Sequence, residues 1–445
     1  MKKFDNFLFM NCFFKIRLNN QNKILKKNQK INLYVCGPTV YNHIHIGNAR
    51  PLIVFDILFR LLRFLRYKVN YVQNVTDIDD KIITTAVKQN VSEAFVSQKF
   101  LAEYNKICQK LNAFNFSQEL VSTNIDKIIT FIQKLIKNDY AYVTKNAVYF
   151  DISKIKNYGK HANRLLNDPI IGEKNKTKDK KNDADFALWK TTKQGLRWES
   201  PWGEGRPGWH TECVAIIEKK FGKNLTVHGG GIDLKFPHHE NEIAQFYALH
   251  HTDLTKFWIY VGHVTMNNEK MSKSLNNFVY VKDALQKFDS NSLRWWFLSV
   301  TPQLPMNYEE KKITESANEW AKIVRTINRL KTHLILNNID LKKTTEISAK
   351  CIQKLATGLD LSSFVTEIYK IVREANSELK ANNFRSLQKK WNILHNTLTI
   401  IGFKMTNFHT TKNIKLLKKW KKTLAMKKFS LADEIRCKLM QMKLI

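Results

Sequence analysis

Ile31-Asn32-Leu33-Tyr34-Val35-Cys36-Gly37-Pro38-Thr39, with Tyr41-Asn42-His43-Ile44-His45-Ile46-Gly47-Asn48-Ala49-Arg50 close behind, is the stretch that decides the fold. Residues 31–36 read as a buried strand stopped by glycine and proline. Past the turn, Leu52, Ile53, Phe55, Leu58, Leu61 and Leu62 fall on the apolar side of a helix. Strand, glycine turn and helix form the opening of a nucleotide-binding fold. The helix start offers free N–H groups and a positive dipole end to phosphate. Gly47 lets another group approach the backbone closely. His45 and Asn48 carry donors for a phosphate or ribose oxygen. A second strand over residues 69–75 runs into Thr76-Asp77-Ile78-Asp79-Asp80-Lys81. Ligands of open parallel sheets collect at the carboxyl ends of strands, where Cys36 and Thr76 both fall.

A second stretch carries chemistry: Phe236-Pro237-His238-His239-Glu240-Asn241-Glu242, just after Gly229-Gly230-Gly231. Pro237 suits the first position of a helix. His238 and Glu242 are then four apart on one face. An imidazole and a carboxylate make half of a tetrahedral zinc site. Cys36 and Cys213, the latter in Gly208-Trp209-His210-Thr211-Glu212-Cys213, are candidates for the other half. His239 is the alternative ligand, and local spacing does not choose between the two histidines. The His-Glu-x-x-His pattern of zinc proteases is absent, because Ile243 stands where its second histidine would be.

The 445 residues suffice for two to four domains. With 73 Lys and Arg against 39 Asp and Glu, the formal charge is +34. A polyanionic partner follows, nucleic acid first, although lysine is abundant throughout. The six cysteines (12, 36, 108, 213, 351, 437) are widely spaced, with no CxxC. That pattern fits thiols or metal ligands in a reducing, cytoplasmic compartment rather than a disulfide framework. The Phe- and Leu-rich start is broken by Asp5, Asn6, Asn11 and Lys15, and reads as an opening strand, not a signal peptide. No run of about eighteen apolar residues predicts a membrane span.

Further along, Ile128, Ile129, Phe131, Ile132 and Leu135 show helical spacing, and residues 147–150 read as a strand. A Lys/Asp/Asn-rich excursion covers 173–184. Residues 225–228 read as a strand before the triple glycine and Asp233, and 257–263 as another leading to Lys270. Beyond 310 the pattern is helical (Ile323, Ile327, Leu330, Ile368, Ile371). From 412 to 445 eleven Lys and Arg face two acids, which suits phosphate-backbone contacts or a plain solvated helix.

His45-Ile46-Gly47-Asn48 resembles the HIGH signature of class I aminoacyl-tRNA synthetases, and Lys270-Met271-Ser272-Lys273-Ser274 resembles their KMSKS signature. The stretches 34–41, 74–81, 185–190, 205–213 and 236–242 resemble the cysteinyl-tRNA synthetase family in particular, closely over residues 30–310 and loosely beyond. The resemblance implies an α/β protein: a Rossmann-like parallel-sheet catalytic domain with a connective insertion, followed by a helical C-terminal region. Its divisions would be 1–115 and 206–265 for the catalytic halves and 116–205 for the insertion. Then would come 266–310 for the KMSKS loop and stem contact, 311–410 for a helical bundle and 411–445 for a short basic anticodon-region remnant.

The same resemblance implies a monomeric cysteine–tRNA ligase that uses L-cysteine, ATP with Mg²⁺, and tRNA(Cys). It assigns one zinc ion to Cys36, Cys213, His238 and Glu242, leaving His239 behind them. A soft ion that deprotonates a bound thiol would reject serine without an editing domain. His45, Asn48, Lys270 and Lys273 would be catalytic, with Pro38, Thr39 and Gly47 also lining the ATP. Gly37, Thr76, Trp209, His228 and Asp233 would line the amino-acid pocket. The rival readings are a cysteine-activating enzyme with a small amino-sugar acceptor and a non-catalytic RNA-binding paralogue. Three places depart from the family pattern. Asn276 replaces a glycine, Val121-Ser122-Thr123-Asn124 stands where Ala-Thr-Glu-His is common, and the chain stops at Ile445, soon after Ala432–Arg436, where anticodon recognition is expected to be affected.

Overall fold

The computed structural model describes residues 15–18, 21–25, 29–164, 178–271, 277–339 and 344–445. Lys273, Asn276 and the expected opening strand before residue 15 lie outside them. So does the first part of the 173–184 excursion.

Five parallel strands form the central sheet. In chain order they are β1 (Lys30–Val35), β2 (Lys68–Val75), β3 (Ser117–Leu120), β4 (Val227–Gly231) and β5 (Phe257–Val261). Laterally they run β5-β4-β1-β2-β3, all pairings parallel. The order reverses between β1 and β4, and at such a reversal a crevice opens beyond the carboxyl ends of the strands. Cys36 follows β1 directly into that crevice. Asn32, the polar interruption in β1, is buried: its side-chain amide donates to Asn224 O (2.8 Å) and its backbone N–H to Thr226 Oγ1 (3.1 Å). Helix α1 (Ile46–Phe64) buries Leu52, Ile53, Phe55, Leu58, Leu61 and Leu62 against the sheet, the face its spacing predicts.

Three boundaries differ from the sequence reading. β3 begins at Ser117, so the parallel sheet continues past the division placed at 115. β4 runs through the triple glycine instead of ending at His228. A Cβ at Gly229 would lie 2.4 Å from both Phe55 Cζ and Ile259 O, so glycine there lets α1 sit on the sheet. The strand read over 257–263 breaks at Gly262, where a Cβ would meet Leu304 O at 2.4 Å. The chain then enters a second sheet, in which Val264–Met266 pairs with Glu269–Lys270 and with Met306–Tyr308.

Between β3 and β4 come a helix (Ile125–Lys137) and a four-stranded antiparallel sheet of Ala141–Val143, Ala147–Phe150, Phe186–Thr191 and Gly205–Pro207. The apolar side of this insertion, including Phe150, Leu188 and Trp189, shares one core with helices α2 (Trp209–Phe221) and α3 (His238–His250). Beyond residue 309 the described chain is helical, led by Glu310–Leu336, Leu361–Ala381 and Phe384–Ile400. The pair Thr411–Ala425 and Phe429–Gln441 closes it. Among the described residues no helix is long and apolar enough to cross a membrane.

Candidate active site and metal centre

Pro237 caps α3 from outside, so the helix begins one residue later than its proline predicts. The first turn of α3 is polar and wholly buried: His238, His239, Glu240, Asn241 and Glu242. Such a turn survives only if each group has a partner. His238 Nε2 lies 2.8 Å from Glu242 Oε1, as the four-residue spacing requires, and His238 Nδ1 lies 3.0 Å from His210 Nδ1. The other carboxylate oxygen of Glu242 lies 2.6 Å from His228 Nε2, while His228 Nδ1 faces Tyr34 O at 3.2 Å.

The two cysteines complete the cluster. Cys36 Sγ is 3.8 Å from Cys213 Sγ, 3.6 Å from Glu242 Oε1 and 3.4 Å from His239 Nε2. Donor atoms of Cys36, Cys213, His238 and Glu242 all lie within 4.8 Å of one another, and so do those of Cys36, His228, His239 and Glu242. A tetrahedral ion with Zn–S bonds of about 2.3 Å holds two sulfurs about 3.8 Å apart, which the thiol pair matches. Two thiols, an imidazole and a carboxylate form a donor set that zinc accepts. Electrostatics favour the anionic, ligating form at two of the four, Cys213 and Glu242. Burial opposes charge on Cys213, but its hydrogen bond from Cys36 and the neighbouring His238 hold its thiol at about 6. Burial and Cys213 push Cys36 up. Burial also works against charge on Glu242, and His228 and His238 overcome it, holding the carboxyl well below its usual range.

Around this cluster lie several residues named from sequence. Trp209 opens α2, is 41% exposed, and covers His238 with ring centroids 4.4 Å apart. Thr76, buried at the end of β2, donates to Glu212 Oε2 (3.1 Å). Gly37 sits where β1 meets β2, and a Cβ there would lie 1.8 Å from Asn74 O. Asp233 is exposed on a short 3-10 turn after β4.

At the other lip of the sheet, His45 caps α1. Its Nδ1 accepts from Gly47 N (3.1 Å) and Asn48 Oδ1 accepts from His45 N (3.1 Å), a reciprocal capping box. With Nδ1 accepting, Nε2 is the ring nitrogen that carries a proton. A Cβ on Gly47 would lie 2.9 Å from the ring, so the glycine allows the ring to fold over the helix start. Pro38 and Thr39 stitch β1's exit to Thr76: Thr76 N donates to Pro38 O and Val40 N to Thr76 O. Of Lys270 only the backbone is described, paired with Thr265. The chain past the second signature returns to the first: Ile46 N donates to Val279 O (2.8 Å) and Val281 N to Ile44 O (3.0 Å).

A family model described as tRNA synthetases class I (C) catalytic domain matches residues 22–318. The cysteine–tRNA ligase of Malacoplasma penetrans is 40% identical over 424 residues, which cover 94% of this chain and 96% of that one. The chain belongs to the cysteine–tRNA ligase family of class I synthetases. The cysteine–tRNA ligase of Ureaplasma parvum serovar 3 is 42% identical over 429 residues, covering 95% and 98%. In fold the family member resembles a Mycobacterium tuberculosis methionyl-tRNA synthetase solved with methionyl-adenylate, with a TM-score of 0.61 at 13% identity, covering 87% of this chain and 91% of that one.

Several residues of this family member's site were not singled out from the sequence. His210 and Glu212 stand beside named residues, and the three-residue helical spacing from Trp209 could have drawn attention to Glu212. Tyr260 and His161 gave no such signal. They meet the cluster only through the fold, where Tyr260 Oη lies 2.6 Å from His161 Nε2 and 3.1 Å from His239 Nδ1.

Proposed function

We propose that the chain activates L-cysteine with ATP and transfers it to tRNA(Cys). The cysteine carboxylate attacks the α-phosphorus and pyrophosphate leaves. A ribose hydroxyl of the terminal adenosine then attacks the acyl carbon and AMP leaves. The observation that carries this reading is the convergence of Cys36, Cys213 and the His238/Glu242 pair, from three separate segments, at the sheet's reversal point.

Zinc, when held by those four residues, supplies a soft Lewis acid that prefers the thiol of cysteine to the hydroxyl of serine. His228 fixes the Glu242 carboxylate and is too deeply buried to meet substrate itself. Trp209 forms the wall over His238. Positioning and charge carry activation, because no protein nucleophile is needed. His45 Nε2–H and the Asn48 amide address the ATP phosphates with Mg²⁺, and Lys270 and Lys273 meet the departing pyrophosphate. Residues 116–205 act as the connective insertion, 266–310 contact the acceptor stem, and 411–445 reach toward the anticodon. The protein works as a cytoplasmic monomer.

Labelled cysteine, ATP and a tRNA(Cys) transcript test the reaction directly. Stable labelled cysteinyl-tRNA is the expected product. Cysteine-dependent pyrophosphate exchange without charging would overturn tRNA as acceptor and leave activation intact. Exchange that survives complete zinc removal would overturn the metal's role.

A further inference from the structure

Tyr260, on β5, bridges two histidines from different parts of the chain: His161 of the insertion at 2.6 Å and His239 of α3 at 3.1 Å. The far nitrogen of His239, Nε2, is 3.4 Å from Cys36 Sγ. Four groups therefore line up from the insertion to a candidate metal thiol. The arrangement is built rather than incidental. The turn carrying His161 is pinned to α3, where Gly159 N and Ala162 N each donate to the Glu240 carboxylate at 2.8 Å. Trp258 packs against the rings of His161 (4.7 Å) and His239 (5.0 Å). Burial and nearby Lys235 hold His161 at about 4, so its ring is neutral and carries one proton.

Tyrosine has a single hydroxyl proton, so it donates to one histidine and accepts from the other. The chain of bonds must then run in one direction throughout. Run away from the metal centre, it would turn the lone pair of His239 Nε2 against Cys36 sulfur. In the metal-holding form that sulfur is a thiolate with no proton of its own. Run toward the centre, His161 Nε2–H donates to Tyr260, Tyr260 O–H donates to His239 Nδ1, and His239 Nε2–H donates to the sulfur. Only the second direction gives every lone pair a proton.

We infer that His161 and Tyr260 are positioning residues that, through His239, orient the Cys36 sulfur toward the metal position. The insertion thereby takes part in the amino-acid site from outside the metal's own ligands. The inference rests on the zinc site proposed above. Supporting bonds of this kind carry about 10–100-fold in metal affinity.

The test is zinc affinity of the full-length protein, measured by competition with a chromophoric chelator. Tyr260→Phe and His161→Phe should each weaken zinc by about 10–100-fold. The double variant should bind no worse than the weaker single, because either change breaks the same chain. His161→Gln, whose amide still donates, should recover most of the loss. Tyr260→Phe deletes one oxygen and carries the test alone if His161→Phe fails to fold. Single variants within twofold of the parent, or losses that multiply in the double variant, overturn the inference while the zinc site stands. A parent protein that binds no stoichiometric zinc overturns both.

Discussion

His45 does two jobs that substitution can separate. Its ring accepts from Gly47 N and so caps α1, and in the proposed reaction its other nitrogen donates to phosphate. His45→Ala should cost about 1 kcal/mol of stability through the lost cap. It should also lower cysteine-dependent pyrophosphate exchange by about 10²–10³-fold through the lost donor. His45→Asn keeps a good cap, and its denaturation midpoint should match the parent while exchange stays low. Equal recovery of both would show the histidine to be a cap only. The signature His-Ile-Gly-Asn was legible as a helix start from residue types alone. That the histidine caps its own helix was not, because capping depends on a backbone angle that the fold sets.

Among single elements, α1 also carries a burden hidden in the sequence. Arg50 is fully buried, and its guanidinium donates to Gly262 O (2.9 Å), Leu304 O (2.6 Å) and Thr301 O (3.1 Å). No carboxylate is paired with it among the described ion pairs, and burial lowers its pKa to about 10. Its partners are two backbone segments that cross where β5 ends and flank the strands leading to Lys270. Arg50→Met should leave several buried carbonyls without donors, each worth about 1–3 kcal/mol. The urea midpoint should fall, and Arg50→Lys, with one compact donor group, should restore only part. A midpoint unchanged in Arg50→Met would show that water replaces the guanidinium.

At the scale of the whole molecule, the nucleotide fold and the helical region share a buried joint. Arg294 donates to Asp56 Oδ2 (2.7 Å) on α1, to Leu111 O and to Ile401 O (both 2.9 Å). Arg60 binds the same carboxylate at 2.9 Å. Gly402 turns beneath them with φ +89°, and a Cβ there would lie 2.8 Å from Arg60 Nε. Asp56→Ala strands the buried Arg294 cation in the interior and should destabilise by about 3–5 kcal/mol. Its unfolding should split into two transitions, and a single unshifted transition would refute the joint. The formal charge of +34 has its own consequence. Binding of tRNA(Cys) should weaken steeply and log-linearly with salt, and a flat response would argue against phosphate contacts as the main source of affinity.

Sequence alone determined the strand–turn–helix opening, the two signatures, and the sharing of one helix face by His238 and Glu242, with His239 left open as the alternative ligand. Those features rest on local periodicity and on contacts between residues few positions apart, which residue order encodes directly. Cys36 and Cys213 were legible as metal candidates by type and by resemblance, while their 3.8 Å separation came from the fold. Only the tertiary structure decided that β4 runs through its glycines, that Arg50 and Arg294 lie buried, and that His161 reaches Tyr260. Each of those depends on segments about 30 to 250 positions apart coming together. A contact at that distance leaves no period, cap or spacing in either segment by itself. It exists because a five-stranded sheet with its reversal between β1 and β4 brings remote chain ends to one crevice.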